Sequence, residues 1–113
     1  MSGMRTLLLA SWLATVAATT VQAQPGAPQP PAFAKGDPAA GKVLADKDCV
    51  ECHERRFGDA DTIYSRADRR VRTPEQLLQQ VRYCSAQIGS NYFPEEDEHV
   101  AAYLNLQYYK FKP

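Results

Sequence analysis

The sequence predicts an all-α domain. Three helix openings carry that reading. Asp37-Pro38 and Thr73-Pro74 each place a capping residue before a proline at the first helical position. Pro94 opens a third segment with an acidic first turn. No segment reads as a strand, and no internal repeat is visible.

Residues 1–23 come first. Arg5 supplies a short positive region, and Leu7 to Ala18 is apolar apart from Ser11 and Thr15. Val21-Gln22-Ala23 puts small residues where a signal peptidase cuts. The apolar run is shorter than the roughly 20 residues that span a bilayer. The expectation is a cleaved secretory signal peptide over 1–23, no stable membrane span after cleavage and a periplasmic mature chain. Residues 24–36 are rich in Pro and Ala without a hydrophobic period, which predicts an extended linker.

The folded domain is expected over 37–113. Its first helix runs from Asp37 through Val43 and Leu44 towards Asp48. Residues 54–73 are polar and read as mostly loop, with room for a short helix. Thr73 caps the next helix, with Gln76 three residues on. Leu77, Val81, Cys84 and Ile88 then share one face. Gly89 bends the chain. The last helix starts near Pro94 and carries Val100, Tyr103/Leu104, Tyr108 and Phe111 as its apolar stripe. Lys110 and Lys112 suit its negative end.

Composition narrows the function. The chain has 113 residues with 13 Lys+Arg against 13 Asp+Glu, which argues against a nucleic-acid partner. Its 3 cysteines cannot all pair internally. A domain this small often needs a disulfide, a metal or a buried cofactor to complete its core.

Cys49-Val50-Glu51-Cys52-His53 supplies such a cofactor. It is the c-type haem attachment sequence. Two thiols three positions apart reach the two vinyl groups of one haem, and the adjacent His supplies the proximal iron ligand. A thioredoxin-like CxxC would need a βαβ context. A zinc site from Cys49, Cys52, His53 and Cys84 would strain at a His that directly follows Cys.

With that motif the chain resembles the class I monohaem c-type cytochromes. The likeness spans residues 36–111. Gly36-Asp37-Pro38-Ala39-Ala40-Gly41-Lys42 is similar to the family's first helix, with Gly41 as the glycine that admits the last helix. Val100-Ala101-Ala102-Tyr103-Leu104 is similar to the last helix. The likeness implies three to four helices around one covalent haem c, with the terminal helices crossing beside it. Leu44 stands where the family often has an aromatic residue.

The family's usual carriers complete the iron with a Met before the last helix. Both methionines here, Met1 and Met4, precede the cleavage site. Something other than Met is then expected on the distal side. Cys84 is the leading candidate, with Tyr83, Asn91, His99 or an open site as alternatives. Arg82 to Gly89 resembles the cysteine-ligated haem subunit of the thiosulfate-oxidising complex and the oxygen-binding sphaeroides haem protein. A buried, inert thiol is the plainer reading of Cys84.

Arg55, Arg56, Arg66, Arg69, Arg70, Arg72 and Arg82 make the middle of the chain basic. They would either neutralise haem propionates and dock an acidic redox partner, or form a solvated loop. The functional expectation is a single-electron carrier between periplasmic redox proteins, more carrier than enzyme. An open-site protein for a small diatomic ligand, and a sulfur-compound oxidoreductase or subunit, are the alternatives.

Overall fold

The computed structural model describes residues 28–113. The predicted signal peptide and residues 24–27 of the predicted linker lie outside them. Among the described residues the fold is all-α: five α-helices and no strand. They are α1 (Pro38–Asp48), α2 (Val50–Phe57), α3 (Thr62–Ser65), α4 (Pro74–Gln87) and α5 (Pro94–Leu104), with a 3-10 turn at Pro31–Phe33 and a π turn at Asn105–Tyr109. The sequence predicts three to four helices. The extra ones come from a break at Cys49, which separates α1 from α2, and from α3 inside the polar stretch.

Local chemistry sets the helix starts. The Asp37 carboxylate accepts from the Ala39 and Ala40 amides at 2.9 and 3.4 Å. Thr73 Oγ1 accepts from the Gln76 amide at 3.2 Å. Each bond satisfies a donor that the helix leaves open. At α5, Glu96 reaches back and its carboxylate accepts from the Phe93 amide at 2.8 Å. The first turn of α5 carries Glu95, Glu96 and Asp97 at the positive end of the dipole. Lys110 Nζ donates to the Leu106 carbonyl at the other end.

The centre of the molecule is α1 against α5, the most extensive helix contact. A Cβ at Gly41 would overlap the His99 backbone carbonyl, and one at Gly36 would press on the Glu98 carbonyl and Ala102. Only glycine lets the two backbones come this close. Val100, Ala101 and Ala102 are buried on the α5 side and Ala45 on the α1 side.

α4 packs on α5 and the 3-10 turn. Its buried residues are Leu77, Leu78, Val81 and Ser85. Cys84 lies half-buried at the edge of that face. Ile88, predicted on it, is 41 % exposed, because the helix ends there and the chain turns away at Gly89. Ser85 Oγ donates to the buried Asp97 carboxylate at 2.8 Å and ties α4 to α5.

The predicted linker behaves differently over its second half. Phe33 is 0 % exposed, and Pro30 is fully buried beside it. Gln29 is buried as well, and its side-chain oxygen accepts from Asn105 Nδ2 at 3.0 Å. Gln29, Pro30 and Phe33 are therefore part of the core, while Pro31, Ala34 and Lys35 stay exposed. One buried aromatic side chain anchors a segment whose composition alone reads as a tether.

The last helix also departs from a simple stripe. After Leu104 it widens into the π turn, closed by the Lys110 amide donating to the Asn105 carbonyl at 2.8 Å. Such wide turns re-aim side chains within a helix. Here neighbouring Tyr108 and Tyr109 both meet Tyr64, at ring-centroid distances of 4.8 and 6.2 Å.

Candidate functional site

The site starts at the α1–α2 junction. Cys49 caps the end of α1 and the start of α2. Cys52 and His53 follow in the first turn of α2, where the His53 amide donates to the Cys49 carbonyl at 3.1 Å. Residues three and four apart on a helix share a face, so Cys49, Cys52 and His53 stand together. All three are half-buried, and all three cysteines of the chain are free thiols. α2 itself has no buried residue.

His53 is held from one side. Its Nδ1 lies 3.0 Å from the Tyr64 hydroxyl and 3.3 Å from the Ala60 carbonyl. A carbonyl can only accept, so the Ala60 contact needs the proton on Nδ1. That tautomer leaves Nε2 with its lone pair, and no hydrogen bond engages Nε2 among the described residues. An imidazole fixed through one nitrogen with the other unprotonated is the arrangement of a metal-ligating His.

The loop that presents Ala60 and Tyr64 is locally ordered. α2 ends at Gly58, whose φ is 87°. Asp59 then accepts from the Asp61 and Thr62 amides at 2.9 and 2.6 Å and from the Thr62 hydroxyl at 2.6 Å. These bonds hold the Asp59 carboxyl below its ordinary value, the Thr62 hydroxyl contributing most. Arg69 braces the far end: its guanidinium donates to the Tyr64 carbonyl at 2.8 Å and lies 4.8 Å from the Tyr109 ring centre.

Aromatic and apolar groups, together with Asp46 and Asp61, surround Cys49. A cavity of about 30 Å³ beside Cys49 is lined by Ala45, Tyr64, Tyr103, Leu104 and Tyr108. Burial pushes the Cys49 thiol up to about 11, and the nearby Cys84 thiol adds to the rise. Burial also raises Tyr64, to which Cys49 and Cys84 contribute. Cys84 is half-buried on α4. Gln80 Nε2 donates to its Sγ at 3.2 Å.

The other distal candidates are placed elsewhere. Tyr83 is 61 % exposed on α4. Asn91 is exposed, in a left-handed conformation at φ 57°. His99 is half-buried in the α1–α5 contact, where its Nδ1 accepts from the Asp37 amide at 2.9 Å. The sequence reading makes it a solvated side chain. The structure instead gives it a polar link at the head of α1.

Two residues of the site escape the sequence reading. Tyr64 is one; its signal was the isolated Ile63-Tyr64 pair in an otherwise polar stretch. Tyr92 is the other. Its hydroxyl is 2.6 Å from the Asp48 carboxylate and 3.3 Å from the Leu44 carbonyl, which pins the loop before α5 to the end of α1 next to Cys49. Burial and the Asp48 contact both hold this phenol well above its ordinary range.

The arginines divide. Arg66 pairs with Asp68 at 2.9 Å, Arg72 donates to the Ala67 carbonyl at 2.8 Å, and Arg55 pairs with Glu51. With Arg69 these side chains brace local structure. Arg56, Arg70 and Arg82 are exposed.

The donors suit one kind of group better than another. No three His, Cys, Asp or Glu side chains among the described residues converge as a metal-binding cluster. Cys49, Cys52, His53 and Cys84 therefore do not form a four-ligand zinc set. Two free thiols followed by a His with an open Nε2 are the donor set that a haem held through both sulfurs would need. No helix among the described residues is long and apolar enough to cross a membrane. No protein-family model, curated protein or solved structure matches the chain.

Proposed function

We propose that this chain is an exported monohaem c-type cytochrome that passes single electrons between periplasmic redox proteins. The observation that carries the reading is His53: its motif places it directly after two free thiols, and its Nδ1 is engaged while Nε2 is left for iron. Cys49 and Cys52 would hold the haem as thioethers, and His53 would be the proximal ligand. Bound there, haem supplies a reversible one-electron couple.

The protein's own groups set the conditions for that couple. Leu104 and the tyrosines around Cys49 give the site apolar and aromatic walls. The Ala60 carbonyl keeps His53 in the ligating tautomer. Cys84 is the proposed distal ligand: it is half-buried, whereas Tyr83 and Asn91 are exposed and His99 is engaged by the Asp37 amide. A thiolate there stabilises the ferric state and lowers the potential relative to Met. Arg56, Arg70 and Arg82 offer exposed positive charge to an acidic partner.

The test is electron paramagnetic resonance of the ferric full chain, matured in a host that attaches haem c, beside Cys84→Ala. The expected result is a low-spin thiolate signal that the variant loses. A high-spin signal unchanged in the variant removes Cys84 as ligand and favours binding of a diatomic ligand at an open site. A His/Met spectrum removes the reading of the distal side altogether.

A further inference from the structure

We propose that Tyr64 is a positioning residue for His53: its hydroxyl oxygen accepts a second hydrogen bond from Nδ1–H, beside the Ala60 carbonyl, and so fixes the ring and strengthens it as an iron ligand. This inference rests on the reading of His53 as the proximal ligand. It adds a side chain to what a backbone carbonyl does by itself.

The geometry argues for a shared proton. Both oxygens are near the same nitrogen, Ala60 at 3.3 Å and Tyr64 at 3.0 Å. The hydroxyl is the nearer of the two, and the carbonyl contact is long for a hydrogen bond. The Ala60 carbonyl selects the tautomer because it has no proton to give. The Tyr64 hydroxyl takes either role, so it follows that choice and accepts. Two acceptors on one N–H draw the proton outward and raise the basicity of the other nitrogen.

Tyr64 is also built to stay in place. It is 9 % exposed, and its ring stacks on Tyr108 at 4.8 Å with 30° between the planes. Its carbonyl accepts from Arg69 at 2.8 Å. Its ring centre lies 5.3 Å from that of His53, and Phe57 meets His53 edge-on at 5.7 Å. Tyr64 and Phe57 therefore both contact the His53 ring, and Tyr64 is the one that also reaches Nδ1.

The experiment is a spectroelectrochemical titration of the haem-loaded full chain, of Tyr64→Phe and of Tyr83→Phe. Tyr64→Phe keeps the stacked ring and removes only the hydroxyl. It is expected to shift the ferric-to-ferrous ratio about tenfold towards ferrous, equal to about 59 mV for one electron. Tyr83→Phe, which also loses one hydroxyl but at an exposed position on α4, is expected to leave the potential unmoved. An unmoved potential in Tyr64→Phe, or an equal shift in both variants, overturns the proposal while leaving His53 as ligand. A chain that takes up no haem through Cys49 and Cys52, or whose His53 is not a ligand, overturns both.

A second measurement needs no variant. In the ferrous unmodified protein, a proton nuclear Overhauser contact is expected between His53 Nδ1–H and the Tyr64 ring protons beside its hydroxyl. Its absence contradicts the assignment even if Tyr64→Phe does not fold.

Discussion

The α1–α5 contact and the Cys49–Tyr64 region are built on opposite terms. Between α1 and α5 the backbones themselves set the distance. Glycine at 41 and 36 leaves no room for a Cβ, and the small residues at 45, 101 and 102 are buried. Around Cys49 to Tyr64, α2 has no buried residue, and polar contacts do the holding: Asp59 to Thr62, Ala60 and Tyr64 to His53, Arg69 to the Tyr64 carbonyl. The first region is closed by protein atoms alone. The second presents reactive side chains on a helix that the protein core does not claim. The division teaches where stability is made and where chemistry is placed.

That comparison breaks most sharply at Gly41. Gly41→Val puts a branched side chain into the His99 carbonyl and is expected to cost at least about 3 kcal/mol or to abolish folding, as severe overpacking does. Urea unfolding of the full chain measures it. A variant of ordinary stability would mean that the two helices do not meet as described. Next comes Phe33→Ala, expected to cost about 3–5 kcal/mol in the same measurement. A loss under about 1 kcal/mol would return residues 29–36 to the status of a tether.

Asn105→Leu is a smaller probe. It removes the bonds to Gln29 and to the Phe111 carbonyl and amide. The unpaired partners are expected to cost about 1–3 kcal/mol. Unchanged stability would show that the π turn holds the C-terminal tyrosines without this side chain.

The smallest effect belongs to the second region and depends on pH. The Asp59 carboxyl is held below its ordinary 3.8 in the folded chain. Its contribution is present above that value and is lost as pH falls through the lower folded value. The difference in melting temperature between Asp59→Ala and the parent is therefore expected to be constant above about pH 5 and to close in more acid solution. A gap that persists at low pH would mean that the carboxylate form is not what orders this loop.

Much of the first region could be read from the sequence. Asp37, Thr73, Pro74 and Pro94 act through neighbours a few residues away, so their effect is written locally. Gly41 was legible only through its resemblance to a known helix pattern. Phe33 was not legible, because its burial depends on α4 and α5, far along the chain. The site divides in the same way. Cys49, Cys52 and His53 form a local motif. Tyr64, Tyr92 and the re-aimed Tyr108 and Tyr109 come from loop closure and a π turn that no local period announces.

The central claim is that Cys49 and Cys52 carry a covalent haem. Intact mass and haem absorbance under denaturing conditions test it on the full chain, matured beside a Cys49→Ser, Cys52→Ser variant. The account predicts one haem that stays with the denatured parent chain and is missing from the variant. A parent chain that leaves that host without covalent haem, or a variant that retains it, would contradict the account.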